Sequence, residues 1–336
     1  MKLAVLGAGS WGLALTWLLT DNFNEVSLWS REEDLTEELI STKSVKFPVE
    51  VQLQDRVKIT SNLEEAVKDA EIILIVVTTS AVRTICQRLK ESGLKDNQIL
   101  VNASKGFELP GLYRMSEVME QELPENKNAV LSGPTLAVEI LEGMPAAASI
   151  ACKNEGTANF LQKHLSVSGK FRLYSNTDVI GVELGGALKN VIAIASGFVE
   201  AMKLGDNAKG ALLTRGLAEI ARLSVAMGAN PSAIYGLSGV GDLFTTCSSK
   251  LSRNFRVGYM IGEGKKIDVI LNEIGTVAEG VKTSRAIMEL SKKYGVETPV
   301  SSAIYDAIYT KITPEEIVSR LMTRKLKPED IYKFAK

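Results

Sequence analysis

The stretch Leu3-Ala4-Val5-Leu6-Gly7-Ala8-Gly9-Ser10-Trp11-Gly12 runs from four apolar residues into a glycine-alanine-glycine turn, and from Trp11 to Leu19 apolar residues recur at helical spacing. That order reads as strand, tight turn, helix. In this setting the three glycines have separate tasks. Gly7 permits the sharp turn, Gly9 lets the backbone approach a pyrophosphate, and Gly12 allows close packing, while unpaired N–H groups at the helix start face the anion. Ser10 and Trp11 then border a bound dinucleotide. A glycine cluster of purely structural use is the other reading, and the strand-turn-helix context argues against it.

Outward from this turn the chain alternates. Val26 to Trp29, Val57 to Ile59, Glu71 to Val77 and Gln98 to Ala103 read as buried strands, with helical segments around Leu63 to Ala70 and Val82 to Glu91. Ala129 to Ser132, Ala146 to Ala151 and Phe171 to Tyr174 extend the same sheet, the last after a helical stretch from Gly156 to Ser166. The alternation predicts an α/β fold with a Rossmann-type, doubly wound parallel sheet covered by helices. After Asp178 the pattern turns helical. Val179 to Ala201 is apolar on nearly every face and needs other helices around it, and Ala208 to Met227, Thr283 to Tyr294 and Ile304 to Tyr309 also read as helices. The expected organisation is a dinucleotide-binding domain over residues 1–178 and an all-helical substrate-binding domain over 179–336.

At 336 residues and 45% hydrophobic, the chain can bury two cores without covalent staples. Its 39 basic and 40 acidic residues nearly cancel, which argues against a nucleic-acid or acidic-membrane binder and leaves any anionic ligand to local charges. Cys86, Cys152 and Cys247 are far apart and have no metal-ligand spacing, so no metal is expected and a reducing cytoplasm is. The start Met1-Lys2-Leu3 superficially resembles a signal peptide, but glycines interrupt the apolar stretch, so secretion is not expected. The longest near-continuous apolar run, Ile72 to Val77, is far shorter than the roughly 20 residues of a membrane-spanning helix, so no membrane insertion is expected.

Several polar residues stand where apolar ones would be ordinary. After the second strand come Ser30 and Arg31 before the first acid, Glu32; a carboxylate there binds a ribose 2'-hydroxyl, whereas arginine suits a 2'-phosphate. NADPH is therefore favoured over NADH, with a solvated surface arginine as the other reading. Lys105 follows a central strand, where ligands of open α/β sheets bind, although alone it also reads as a solvated lysine. Ser132 to Glu139 closes a strand with a turn and opens a helix.

Lys189 and Asn190 sit inside the apolar series Ala187-Leu188 and Val191 to Ala195. Burial disfavours an ammonium, as a group that must accept a proton from an alcohol requires. A structural ion pair with Glu183 or another carboxylate is the competing reading. Gly236 to Cys247 supplies one carboxylate, Asp242, and leads to Ser252-Arg253-Asn254, whose hydroxyl, guanidinium and amide could clamp a phosphate or simply begin a helix. The only histidine, His164, lies away from these clusters, so the proton carrier should be lysine.

Together these residues resemble the glycerol-3-phosphate dehydrogenase family, particularly its bacterial NAD(P)-dependent form, over nearly the whole chain. The resemblance rests on Gly7 to Gly12, Lys105-Gly106, Gly133-Pro134-Thr135, Glu183 with Leu188-Lys189-Asn190, Gly241-Asp242-Leu243, Ser252-Arg253-Asn254 and Ala278-Glu279-Gly280. It implies reversible reduction of dihydroxyacetone phosphate to sn-glycerol 3-phosphate, a phospholipid precursor. It implies catalytic roles for Lys189, Lys105, Asp242 and Asn190, and substrate contacts from Lys105, Gly133, Thr135, Lys189, Asp242, Ser252, Arg253 and Asn254. The same resemblance places Gly7, Gly9, Ser10, Trp11, Gly12, Arg31, Lys105, Ala137, Arg253, Val277 and Glu279 at the NADP or NAD cofactor. Two departures stand out: Thr135-Leu136 replaces the common Ser-Phe, and Val77-Thr78-Thr79-Ser80 lacks the usual proline. Threonine keeps the hydroxyl, and the lost proline changes turn stiffness more than charge.

The implied chemistry is hydride transfer to a ketone carbon with Lys189 protonating the oxygen, Lys105 and Asn190 polarising it, and Asp242 fixing Lys189 or a substrate hydroxyl. Two rivals remain at this level. A hydroxy-acid dehydrogenase would share the glycine turn but gives less reason for Ser252 to Asn254, and a non-catalytic redox sensor gives no reason to bury Lys189. A helical second domain commonly offers a dimer face, so a homodimer is expected.

Overall fold

The computed structural model describes residues 1–45, 49–275, 278–310, 312–326 and 328–329. Contacts divide the chain into two compact units, Met1–Val179 and Ile180–Lys336.

The first unit is built on an eight-stranded sheet of β1 (Lys2–Leu6), β2 (Glu25–Trp29), β3 (Val57–Thr60), β4 (Ile72–Ile75), β5 (Ile99–Asn102), β6 (Asn128–Ser132), β7 (Ala146–Cys152) and β8 (Phe171–Asn176). Its order is β8-β7-β6-β5-β4-β1-β2-β3. All neighbours pair parallel except β6 and β7, whose register Ala129↔Cys152 to Ser132↔Ser149 is antiparallel. The three late strands thus extend the sheet as expected, but the last two run against the rest. No helix separates β7 from β6 by a full crossover: only the short α6 (Ala137–Leu141) lies between them, so the chain returns in the opposite direction.

Side chains alternate between the two faces of each strand. Leu3 and Val5 join one core with residues of α1 (Ser10–Leu19), α2 (Glu33–Thr42), α6 and α7 (Glu155–Leu165). Ala4 and Leu6 join the other core, with α3 (Leu63–Val67), α4 (Val82–Glu91) and α5 (Met115–Glu122). Helices on both faces explain why the central strands are apolar throughout. From β1 the chain moves outward through β2 and β3, then crosses back to β4 on the other side of β1. The loops after β1 and β4 therefore diverge at a topological switch point, where ligands of such sheets bind.

The second unit is helical among its described residues: α8 (Val179–Ala201), α9 (Gly205–Ala226), α10 (Pro231–Ile234), a π-turn over Leu237–Gly241, α11 (Asp242–Ser248), α12 (Arg253–Gly262), α13 (Ile267–Ile274), α14 (Glu279–Tyr294), α15 (Pro299–Tyr309) and α16 (Pro314–Met322). By length and composition α8 could cross a membrane, and the longest apolar run does not reveal it because polar residues punctuate its sequence. Within the protein, 94% of its apolar window is buried. It is the enclosed core helix that its all-round apolarity predicts.

Glycines set how closely its neighbours approach. A Cβ on Gly197 would overlap the carbonyl oxygen of Phe255, and one on Gly258 would overlap that of Ile194, so α8 and α12 cross backbone to backbone. Glu219 on α9 is wholly enclosed, and its carboxylate accepts the N–H groups of Val300 (2.6 Å) and Ser301 (3.0 Å) and the Ser301 hydroxyl (3.0 Å). Those bonds satisfy donors at the start of α15 that the helix itself leaves open.

Candidate active site

The glycine turn is shaped as its sequence requires. Gly7 has φ +123°, in the region that favours glycine, and a Cβ there would overlap the carbonyl oxygen of Val76 after β4. A Cβ on Gly12 would overlap the carbonyl oxygen of Gly7. Around Gly9 nothing lies within 4 Å of where a Cβ would stand, and Gly9 is exposed. Gly9 is also the N-cap of α1, and no side chain caps that helix. An open backbone position at an uncapped helix start fits a pyrophosphate, so these residues suit the dinucleotide that the turn predicts. Ser10 and Trp11, both half-buried, form the first residues of the helix.

Arg31 is exposed just beyond β2, and the preceding Ser30 accepts the N–H of Glu32 at 3.2 Å. Ala137 is the first residue of α6 and packs against the core shared with α1.

At the end of β5, Asn102 braces the loop that carries Lys105. Its carboxamide accepts the Ser104 N–H at 3.1 Å and donates to the Ser104 carbonyl at 2.8 Å. The Ser104 hydroxyl in turn donates to the carbonyl of Val77, joining this loop to the one after β4. Lys105 then donates to the Gly133 carbonyl (2.8 Å) and to Thr135 Oγ1 (3.4 Å), and the Thr135 hydroxyl donates to the same Gly133 carbonyl (3.1 Å). Lys105, Gly133 and Thr135 are thus one cluster. Sequence reasoning missed its anchor: Arg83 on α4 holds both oxygens of Glu108 at 2.7 Å, three residues past Lys105, and also pairs with Glu122. A fork of that kind fixes direction as well as distance.

In the second unit Lys189 is 6% exposed and Asp242 2%. The lysine ammonium lies 2.8 Å from Asp242 Oδ1 and donates also to Thr246 Oγ1, whose hydroxyl donates to Asp242 Oδ1 at 3.1 Å. The ion-pair partner is therefore Asp242 rather than Glu183. Glu183, six residues before the lysine on α8, is buried without being that partner. The buried lysine nitrogen is thus held by both a carboxylate and a hydroxyl. Thr246 was not singled out from sequence, although it stands one turn after Asp242 on α11 and shares its face.

The segment Ser252-Arg253-Asn254 begins α12. Ser252 is the N-cap and accepts the Phe255 N–H at 3.2 Å, while Arg253 is exposed. Asn254 is buried; its amide nitrogen donates to Asn190 Oδ1 (2.9 Å), and its oxygen accepts the Gly280 N–H (3.0 Å). Glu279 is the first residue of α14, and Val277 lies outside the described residues.

All three cysteines are buried, and burial pushes the Cys86 and Cys247 thiols up to about 12, so neither supplies a thiolate. His164 sits on α7 against the Phe160 ring. Among the described residues no cluster could hold a metal ion.

Known proteins resemble this chain over most of its length. The sequence models of NAD-dependent glycerol-3-phosphate dehydrogenase match residues 2–158 for the N-terminus and 178–319 for the C-terminus. The chain is 45% identical to a glycerol-3-phosphate dehydrogenase [NAD(P)+] of a Thermoanaerobacter species, over 98% of this chain and 99% of that one. It is 43% identical to a protein of the same name from Bacillus subtilis, over 96% and 94%. The crystal structure of glycerol-3-phosphate dehydrogenase from Coxiella burnetii superposes with a TM-score of 0.89 at 34% identity, covering 96% of this chain and 99% of that one.

Proposed function

The chain belongs to the NAD-dependent glycerol-3-phosphate dehydrogenase family and is an NAD(P)-dependent oxidoreductase interconverting dihydroxyacetone phosphate and sn-glycerol 3-phosphate; we propose that Lys189 carries the proton of that reaction. The observation that supports this most is the buried Lys189, Asp242 and Thr246 constellation, with Asn190 beside it in sequence.

A bound nicotinamide supplies the hydride that reduces the ketone carbon. Lys189, as ammonium, gives a proton to the ketone oxygen, so that C=O becomes CH–OH with one hydride and one proton added. In the oxidation the neutral amine takes the hydroxyl proton back. Asp242 and Thr246 hold the lysine nitrogen in place through both states. Asn190 is assigned to polarising the carbonyl oxygen, and Lys105, Gly133 and Thr135 are assigned to the substrate. Ser252, Arg253 and Asn254 bind its phosphate at the start of α12, where helix N–H groups favour an anion. Remote binding of that kind orients the reacting carbonyl.

Gly7, Gly9, Ser10, Trp11, Gly12, Lys105, Ala137, Arg253, Val277 and Glu279 are the residues that we assign to the dinucleotide, with Arg31 favouring NADPH. Residues 1–178 then serve as the cofactor domain and 179–336 as the substrate domain. We assign the protein a cytoplasmic role in supplying glycerophospholipid synthesis, as a homodimer.

The deciding assay is dihydroxyacetone-phosphate-dependent NADPH oxidation by the purified chain. Turnover that inorganic phosphate inhibits competitively with the ketone is expected. No turnover with this substrate would reject the assignment, and turnover indifferent to phosphate would point to a hydroxy-acid dehydrogenase instead.

A further inference from the structure

Resting on that reading of the site, we propose that Arg83 is a positioning residue: its fork on Glu108 fixes the backbone from which Lys105 reaches the substrate. Lys105 needs such support. A lysine stem is flexible and its ammonium binds as a point charge, so the nitrogen keeps one place only where the backbone beneath it is held. The next residue supplies no stiffness, because Gly106 has φ +148°, in the region that favours glycine.

Hydrogen bonds to a single stretch of chain hold the loop on both sides of Lys105. Before it, the Ser104 hydroxyl donates to the carbonyl of Val77. Beyond Gly106, Glu108 accepts from Nε and Nη2 of Arg83, each at 2.7 Å. Val77 and Arg83 both lie between the end of β4 and the first turn of α4. That stretch begins at Val76, whose carbonyl oxygen a Cβ on Gly7 would overlap. Arg83 therefore sets Lys105 relative to the glycine turn as well as within its own loop.

The path from Arg83 to Lys105 is short and mostly backbone. Glu108 pairs with Tyr113, and Phe107 with Arg114, in a two-stranded hairpin, and Phe107 is buried. A direction imposed on Glu108 thus passes through Phe107 to Gly106 and Lys105. Arg83 is itself held from α5, where Glu122 accepts from Nη1 and Gln121 from Nη2 at 2.7 Å. Four of its five N–H donors are used, so it is not a solvated surface charge. The side chains of Arg83, Glu108 and Glu122 are 27%, 19% and 18% exposed, so water competes only partly for these bonds. Misplacing a substrate-positioning group by about 1 Å can cost about a hundredfold in rate, which makes loss of the fork visible in turnover.

The test cuts the two arms of Arg83 separately in the full chain. Glu108→Gln replaces two acceptor oxygens by one and breaks the fork, so kcat/KM for dihydroxyacetone phosphate should fall about tenfold or more. Glu122→Gln removes the carboxylate on the α5 side and leaves the fork, so kcat/KM should change by less than about twofold, whatever the melting temperature does. In a Lys105→Ala background Glu108→Gln should cost less than about twofold, because the group that it directs is gone. Arg83→Lys keeps the charge without the fork and should show the same loss as Glu108→Gln, with the same dependence on Lys105. The proposal is overturned if Glu108→Gln and Arg83→Lys turn over normally, if Glu122→Gln loses as much kcat/KM as Glu108→Gln, or if Glu108→Gln costs the same factor with and without Lys105. Absence of turnover in the unsubstituted chain would instead reject the functional reading on which this proposal rests.

Discussion

Lys189 and Asp242, 53 residues apart in the chain, form a 2.8 Å ion pair in which the side chains are only 7% and 2% exposed. Removing either member has a different consequence. Lys189→Ala takes away the proposed proton carrier and should reduce kcat by about a thousandfold, within the range of general acid-base contributions, with NADPH affinity unchanged by direct titration. Near-normal turnover would reject the role. Asp242→Ala leaves an ammonium buried alone and should cost about 3 to 5 kcal/mol of stability in denaturant unfolding. Asp242→Asn keeps a neutral acceptor and should cost less.

The glycines of the first turn separate fold from binding. Gly12→Ala forces a Cβ onto the Gly7 carbonyl, which is backbone and cannot swing aside, so a stability loss of about 2 kcal/mol or more is expected from thermal unfolding. Gly9→Ala meets nothing within 4 Å, so it should melt like the unsubstituted chain. Its methyl instead occupies the space assigned to the pyrophosphate, and NADPH affinity should fall about tenfold or more. Equal losses of stability in the two variants would contradict this division.

Arg31 is the residue to which we assign the preference for NADPH. The exposed guanidinium beyond β2 can pair with a 2'-phosphate, so Arg31→Asp should lower kcat/KM for NADPH about tenfold or more relative to NADH. The ratio of the two specificity constants is the measurement, and an unchanged ratio removes Arg31 from the site.

Glu219 should give the protein a pH-dependent stability away from the catalytic residues. Burial pushes its carboxyl up to about 7 from an ordinary 4.5, against the pull of the Val300 and Ser301 donors and of Arg222. The folded chain therefore keeps this proton where the unfolded chain has lost it. Stabilisation from this group is complete below pH 4.5 and is lost as pH rises through about 7, a change on the order of 3 kcal/mol. The neutral amide introduced by Glu219→Gln cannot titrate, so the unfolding free energies of this variant and of the unsubstituted chain should diverge by most of that amount between about pH 5 and 8. Parallel curves would show that Glu219 titrates in the ordinary range.

The local patterns determined a good deal. Val82–Glu91 and Val179–Ala201 are helices over the residues that apolar spacing marks out, and all eight strands of the sheet lie where short β-rich runs occur. Such segments are legible because periodicity records which faces must leave water. Gly7, Gly9 and Gly12 were legible for a related reason, since each answers a backbone constraint contained in a few neighbouring residues.

Relations across the chain were decided by tertiary structure alone. The antiparallel pairing of β6 and β7 depends on a return path that strand patterning does not encode. The choice of Asp242 over Glu183 for Lys189 depends on where α11 packs, and a charge does not announce its partner over 53 residues. Thr246 and Arg83 look like ordinary polar residues until folding brings them to Lys189 and Glu108. Asn254 is a further case: Gly280 and Asn190 approach it from two other helices, and its amide bonds to both. Sequence could therefore nominate candidate chemical groups, whereas the hydrogen-bond partner of each was settled only when separated segments packed together.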